Sequence, residues 1–224
     1  MTRGVFIAGT DTGVGKTRVA AALLCAWARS GLRVAGMKPV AAGAVLRGGV
    51  SRSEDAEVLV AAANVEAPWE WVNPYCFAPP IAPHIAAERA GVRIDPAVIR
   101  NAFDRLGERA DRIVVEGAGG LLVPLNERQD MAHLVRELDL PVLLVVGMRL
   151  GCLNHALLSV QAIMARGLTL AGWIANGIDP DMAEAEANLE TLRQRVAVPC
   201  LGYLGHGASG AGLDWPALEA IFLS

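Results

Sequence analysis

Lysine is nearly absent from this chain. Of its 224 residues, 20 are Lys or Arg, and only Lys16 and Lys38 are lysines. Ammonium and guanidinium differ in shape and hydration, so a chain that uses arginine for almost every cation marks its two lysines as places where a compact point charge is required. Charge of either sign is also scarce: 19% of residues are charged and the formal net charge is −3. That excludes a global basic field for nucleic acid. With 53% hydrophobic residues the composition is too apolar for disorder. Long hydrophobic runs are missing as well. None reaches the ~18 apolar residues of a membrane span, and the most apolar stretch, residues 140–148, has the length of a buried strand. Residues 1–9 do not read as a signal peptide, because the apolar part is short and runs straight into a glycine loop. The four cysteines, Cys25, Cys76, Cys152 and Cys200, form no CxxC pair. They read as buried thiols of a reducing, cytoplasmic protein and not as disulfides or a zinc site.

What is present is an alternation of strand and helix patterns from end to end. Apolar runs at residues 4–8, 32–37, 112–116, 141–146, 170–175 and 198–202 read as strands. Most are continuous and not alternating, as expected of strands covered on both faces. Helices fit residues 17–30, stopped by Gly31, then 54–63, 95–108, 130–138, 152–166 and 182–196. The segment 41–110 is less regular, with a glycine-rich loop at 42–49 and a proline-rich stretch at 73–83. With no repeat, linker or low-complexity tail, the pattern predicts one domain over residues 1–224: an α/β, P-loop-like, doubly wound and mostly parallel sheet with helices on both faces.

Gly9-Thr-Asp-Thr-Gly-Val-Gly-Lys-Thr follows a strand and opens a helix, the context a phosphate-binding loop needs. Glycines let backbone N–H groups turn inward, and the helix N-terminus adds positive character at the same spot. Lys16 is expected to reach the β and γ phosphates of a nucleoside triphosphate, and Thr17 to place its hydroxyl on Mg²⁺. Five residues separate Gly9 from Gly15, one more than in the common pattern.

Lys38, in Met37-Lys-Pro-Val, lies at the carboxyl end of the second strand, the edge that faces the ligand crevice in such sheets. Its expected role is to neutralise charge beside the γ-phosphate. Glu116 ends the third strand and precedes Gly117-Ala-Gly-Gly, the place of a metal-directed acid. Asp55, in Arg52-Ser-Glu-Asp, is a second metal candidate; alone it also suits a helix N-cap. Mg²⁺ takes hydroxyl, carboxylate, water and phosphate oxygens, so Thr17, Asp55 and Glu116 could supply the protein share.

Together these residues resemble the dethiobiotin synthetases over nearly the whole chain. The matching pieces are the loop from Gly9 to Thr17, Lys38-Pro-Val, Arg52-Ser-Glu-Asp, Ala82-Pro-His, Val115-Glu-Gly-Ala-Gly-Gly, Gly151-Cys-Leu-Asn-His-Ala and Gly172-Trp-Ile-Ala-Asn. The resemblance implies that 7,8-diaminononanoate, CO₂ and ATP give dethiobiotin, ADP and phosphate, through a carbamate and a carbamic-phosphoric anhydride. It implies catalysis by Lys16 and Lys38. It implies nucleotide contacts from Gly13, Val14, Gly15, Lys16, Thr17, Arg18, Asp55, Glu116, Gly117, Ala118, Gly119 and Asn176, the last reading adenine. Substrate contacts fall on Thr12, Lys38, Ala42, Gly151, Cys152, Leu153 and Asn154. The last four open a helix that receives the substrate carboxylate from the partner subunit, so a homodimer is implied, with neither nucleic acid nor membrane as partner. Cys152 and His155 are motif packing, since this chemistry uses neither.

The chain departs from that pattern at three places. Gly13 stands where the family often has Glu, Ala42 where it usually has a substrate-touching Ser, and Gly205-His206 where its base loop tends to carry Pro-Trp. Two other readings share the loop: a regulatory ATPase switch of the partitioning type and a nucleotide-binding module without catalysis. The switch proteins usually carry an extra lysine early in the loop, where this chain has Thr10-Asp-Thr-Gly.

Overall fold

A computed structural model of the chain describes residues 4–47, 50–207 and 212–220. Residues 48–49 of the expected glycine-rich loop lie outside the described residues. Among those described, the strands are β1 (Gly4–Gly9), β2 (Val34–Met37), β3 (Val40–Ala42), β4 (Val45–Arg47), β5 (Val50–Arg52), β6 (Tyr75–Phe77), β7 (Arg112–Gly120), β8 (Val142–Met148), β9 (Leu170–Gly177) and β10 (Cys200–Leu204). The helices are α1 (Lys16–Arg29), α2 (Glu54–Ala62), α3 (Trp69–Val72), α4 (Pro83–Arg89), α5 (Pro96–Gly107), α6 (Met131–Leu138), α7 (Cys152–Ala165), α8 (Ala185–Arg195) and α9 (Trp215–Ala220).

Six strands form one sheet in the order β10-β9-β8-β1-β7-β2, and every pairing in it is parallel. Side chains alternate across a strand, and β1 shows the consequence. Val5 and Ile7 enter a core beneath α1 with Val19, Leu23, Leu24 and Trp27. Phe6 and Ala8 enter the opposite core with Ile99, Phe103, Leu134 and Trp173. Both faces of β1 are therefore buried, which is why it reads as an unbroken apolar run. Because the strands are parallel, their carboxyl ends share one edge of the sheet. Toward that edge lie Gly9 at the end of β1, Lys38 just after β2, Glu116 within β7 and Asn176 near the end of β9.

Several expected boundaries shift. β2 starts at Val34 and the last strand at Cys200, each two residues late; the last long helix starts at Ala185 and not at 182; and β7 runs on through the glycines to Gly120. The irregular segment holds short structure: β3 pairs in parallel with β6 outside the main sheet, and β4 with β5 forms a small antiparallel hairpin. The cysteine expectation holds only for Cys152, which is buried. Cys25 is exposed on the outward stripe of α1, while Cys76 and Cys200 are partly exposed; all four are free thiols. No helix among the described residues is long and apolar enough to cross a membrane.

Candidate active site

The loop between β1 and α1 is fixed from three sides. Gly13 and Gly15 take positive φ values of 74° and 87°, backbone that suits glycine. Gly15 caps α1 without any side chain bonding to the helix end, so the first N–H groups of the helix keep their donor capacity for a ligand. The Asp11 carboxylate accepts from Thr12 N at 2.7 Å and from Arg149 Nη2 at 2.5 Å. Val14 is buried beneath the loop, and its carbonyl accepts from Asn176 Nδ2 at 2.8 Å. A Cβ on Gly15 would stand 2.1 Å from that same nitrogen, so only glycine lets the loop rest on Asn176. Asn176 Oδ1 in turn accepts from Arg18 Nη1 at 2.8 Å, and Arg18 Nη2 donates to Gly205 O at 2.8 Å.

The two lysines and two acids meet at the loop's end. Lys38 follows β2 and is buried. Its Nζ lies 2.6 Å from Glu116 Oε1 and 2.7 Å from Asp55 Oδ2. Thr17 Oγ1 is 2.9 Å from both Asp55 Oδ1 and Glu116 Oε1, its single proton serving one at a time. Lys16 Nζ donates to Asp11 O at 2.9 Å. Asp55 reaches the cluster from the first turn of α2, whose N-cap is Ser53, accepting from Ala56 N. The alternative reading of Asp55 as the cap is thereby removed.

Electrostatics separates the four groups. Burial, with Lys38 close by, pulls Lys16 down to about 8. Burial works against charge on Lys38 too, but Glu116 and Asp55 outweigh it and hold the ammonium protonated. Asp55 stays below the ordinary carboxylate range: burial opposes this, and the attraction of Lys38 prevails. Glu116 is pushed up by burial and further by Asp55, against Lys38. Of the two acids, Glu116 is thus the first to take a proton. Its Oε2 is buried with no hydrogen-bond partner among the described residues.

These groups form the polar end of a cleft of about 730 Å³ that also touches Thr12, Gly13 and Gly119. Its other walls are apolar: Ala41, Ala42, Ile81, Pro83, Ala118 and Val123. The structure therefore brings Thr12, Lys16, Thr17, Lys38, Ala42, Asp55, Glu116 and Ala118 to one space. Gly117 adjoins it through its carbonyl, 3.3 Å from Lys38 Nζ. Asn176 and Arg18 lie on the other flank of the loop. Gly151, Cys152, Leu153 and Asn154 open α7 elsewhere and do not line this cleft. There Gly151 is the left-handed cap, Cys152 is buried and Asn154 is exposed. Two positioning residues were not foreseen. Asn73 Nδ2 donates to Lys38 O at 2.6 Å, and Arg149 holds Asp11. The proline-rich stretch holding Asn73 was the available signal for the first; a strand-end arginine carries none.

The glycine loop, its helix and the acid on the neighbouring strand β7 define a P-loop nucleotide-binding α/β protein. Solved structures agree on the fold. FtsY from Thermotoga maritima matches with a TM-score of 0.52 and 17% identity over 100% of this chain and 69% of its own. The septum site-determining protein MinD from Pyrococcus horikoshii, complexed with Mg-ADP, matches with a TM-score of 0.54 and 20% identity over 92% of this chain and 82% of its own. A family model described as an AAA domain matches residues 3–208. ATP-dependent dethiobiotin synthetase BioD of Aromatoleum aromaticum is 58% identical over 206 residues, 92% of each chain. The protein of the same name from Nitrosospira multiformis is 53% identical over 218 residues, 97% of this chain and 95% of its own. The chain belongs to the ATP-dependent dethiobiotin synthetase family.

Proposed function

We propose that this chain joins CO₂ to 7,8-diaminononanoate at the expense of ATP, forming dethiobiotin, ADP and phosphate. The observation that carries this reading is the cleft: a lysine–carboxylate cluster beside the phosphate loop at one end, apolar walls at the other. A regulatory switch needs no such apolar chamber beside its phosphate site, whereas an alkyl diamine does.

One amine of the substrate adds to CO₂ and loses a proton, giving a carbamate. A carbamate oxygen attacks the γ-phosphorus of ATP, and ADP leaves. The second amine then attacks the carbamoyl carbon, the ring closes, and phosphate departs. The difficulty is electrostatic, since a carbamate anion must approach a polyanion. Unit charges ~4 Å apart repel by about 4 kcal/mol at an effective dielectric near 20. Lys16 and Lys38 offset that repulsion where it peaks. Holding the reactants in line accounts for up to about 7–11 kcal/mol more in well-oriented cases. No protein nucleophile is required.

Thr17, Asp55 and Glu116 suit a magnesium ion. All three are hard oxygen donors gathered within hydrogen-bond distance, and the orphaned Glu116 Oε2 is a buried acceptor without a partner among the described residues. When bound, the ion would neutralise charge on the phosphates. Thr12 and Ala42 line the substrate end. Ala42 brings a methyl where a serine would bring a hydroxyl, leaving this chain one hydrogen bond fewer to offer the diamine.

The opening of α7, Gly151 to Asn154, serves the substrate carboxylate of a second copy in this reading. A helix N-terminus favours an anion, and Leu150 beside it is 96% exposed, a side chain suited to burial against a partner. The test is labelled bicarbonate. Acid-stable label should appear only with both ATP and the diamine; label fixed without either contradicts the reading.

A further inference from the structure

Sheet pairing ends one residue before Lys38. The last register pair of β2 joins Met37 to Val115 on β7, and the chain then runs through Lys38 into Pro39. Proline restricts the residue before it to extended backbone and brings no N–H of its own. The segment from Val72 to Tyr75 takes over from the sheet. Lys38 N donates to Val72 O at 2.8 Å, and Tyr75 N to Pro39 O at 3.1 Å. Between them Asn73 Nδ2 donates to Lys38 O at 2.6 Å and to Tyr75 O at 3.2 Å. An amide NH₂ carries two protons, one for each carbonyl, and turning the amide over would set its oxygen against both. Asn73 is buried, and its own backbone N–H closes α3 on Trp69 O at 2.8 Å. Trp69 in turn lies under the Arg52 guanidinium, 4.0 Å from the ring centre, just before the Ser53 cap of the helix that carries Asp55.

We propose that Asn73 sets the rate of phosphoryl transfer as a positioning residue: it fixes the backbone from which Lys38 extends, and so governs kcat without touching a reactant. For the step it affects, this rests on the synthetase reading above. A lysine side chain is a point charge on a flexible four-carbon stem, so the place its ammonium reaches depends on how its backbone is anchored as well as on its ion partners. Lys38 Nζ has carboxylates at 2.6 and 2.7 Å, and it acts on charge that develops in the transition state. A misplacement of about 1 Å at the reacting end costs on the order of 100-fold in rate. Asn73 does not line the cleft, so its loss leaves the glycine loop to bind nucleotide as before.

The experiment measures kcat, KM for ATP and ADP affinity in wild-type protein, Asn73→Leu and Asn73→Ser, and repeats Asn73→Leu in a Lys38→Ala background. Leucine keeps the branched shape of asparagine and removes the donor. Asn73→Leu should lower diamine-dependent kcat by about 10- to 100-fold and leave KM for ATP and ADP affinity within about threefold. With Lys38 already removed, the same substitution should cost less than about threefold more, because both side chains act on one step. An equal loss in both backgrounds, or a fall in ADP affinity of about tenfold, overturns the proposal. Lysine-selective ¹³C labelling gives a readout that needs no turnover. The chain has only Lys16 and Lys38, so two ε-carbon signals are expected in the spectrum. The signal missing from Lys38→Ala should move in Asn73→Leu while that of Lys16 stays in place; a Lys38 signal that does not move also overturns the proposal. If Asn73→Leu does not fold, Asn73→Ser carries the same expectations, with a loss in kcat of at least about fivefold. If neither folds, Asn73 is a folding residue and the proposal falls. Absence of diamine-dependent turnover in the wild type would defeat the synthetase reading instead, and the lysine signals would still judge Asn73.

Discussion

Lys16 and Lys38 carry the same group in opposite surroundings, and each yields a prediction. Lys16 titrates at about 8, lowered first by burial and then by Lys38. A triphosphate binds its charged form, so above pH 8 binding must take up a proton. Nucleotide affinity should fall by up to about tenfold per pH unit there, while free-protein stability moves the other way. The penalty for burying a charged Lys16 is fully present below pH 8. It is lifted as pH rises through 8 toward the unfolded value of 10.5. Calorimetry of ADP binding between pH 7 and 9.5 checks the first slope; flat affinity would remove Lys16 from the phosphates. Lys38 is different because two carboxylates keep it charged. Lys38→Ala should lower kcat by about 100- to 1000-fold, the ~2.7–4 kcal/mol of one preorganised donor. It should also cost on the order of 3–5 kcal/mol of stability by stranding Glu116. Steady-state kinetics and urea unfolding on the same sample measure both, and wild-type turnover would exclude Lys38 from the chemistry.

At the scale of elements, the phosphate loop is a junction whose two positive-φ glycines differ in their neighbours. A Cβ at Gly13 meets nothing within 4 Å, whereas one at Gly15 collides with Asn176. Gly13→Ala should therefore cost only the backbone strain of about 1–2 kcal/mol and leave nucleotide affinity nearly intact. Gly15→Ala should abolish binding by levering the loop off Asn176. Equal effects in thermal shift with ADP would contradict this difference. The loop and its flanking strand and helix were legible in the sequence, because glycine spacing, a continuous apolar run and an Ala/Leu helix are local signals. So was Lys38, read from a strand end; Glu116 was read as a strand end too, but β7 continues past it to Gly120. Asn73 and Arg149 were not, since their partners Lys38 and Asp11 lie 35 and 138 residues away in the chain. The strands β3 to β6 escaped notice because three residues are too few to show a period. Asn176 was legible as a site residue, but its hold on Val14 depends on a register between β9 and the loop that no spacing reveals.

At the scale of the whole molecule, the glycine loop and the lysine–carboxylate cluster share one cleft, and the opening of α7 does not line it. Leu150 beside that helix is apolar and 96% exposed, the side chain on which the proposed homodimer is tested. Leu150→Asp should shift the protein toward monomer in sedimentation. It should raise KM for the diamine by on the order of tenfold while leaving ADP affinity unchanged; a monomeric wild type with full activity would remove the second copy from the site. The central claim is that the lysine–carboxylate cluster spends ATP on a carbamate and not on water. It is tested most directly by phosphate release from ATP with and without 7,8-diaminononanoate, bicarbonate being present in both. Release that depends on the diamine and matches dethiobiotin formed one for one is the predicted result. ATP hydrolysed equally fast without the diamine would contradict it.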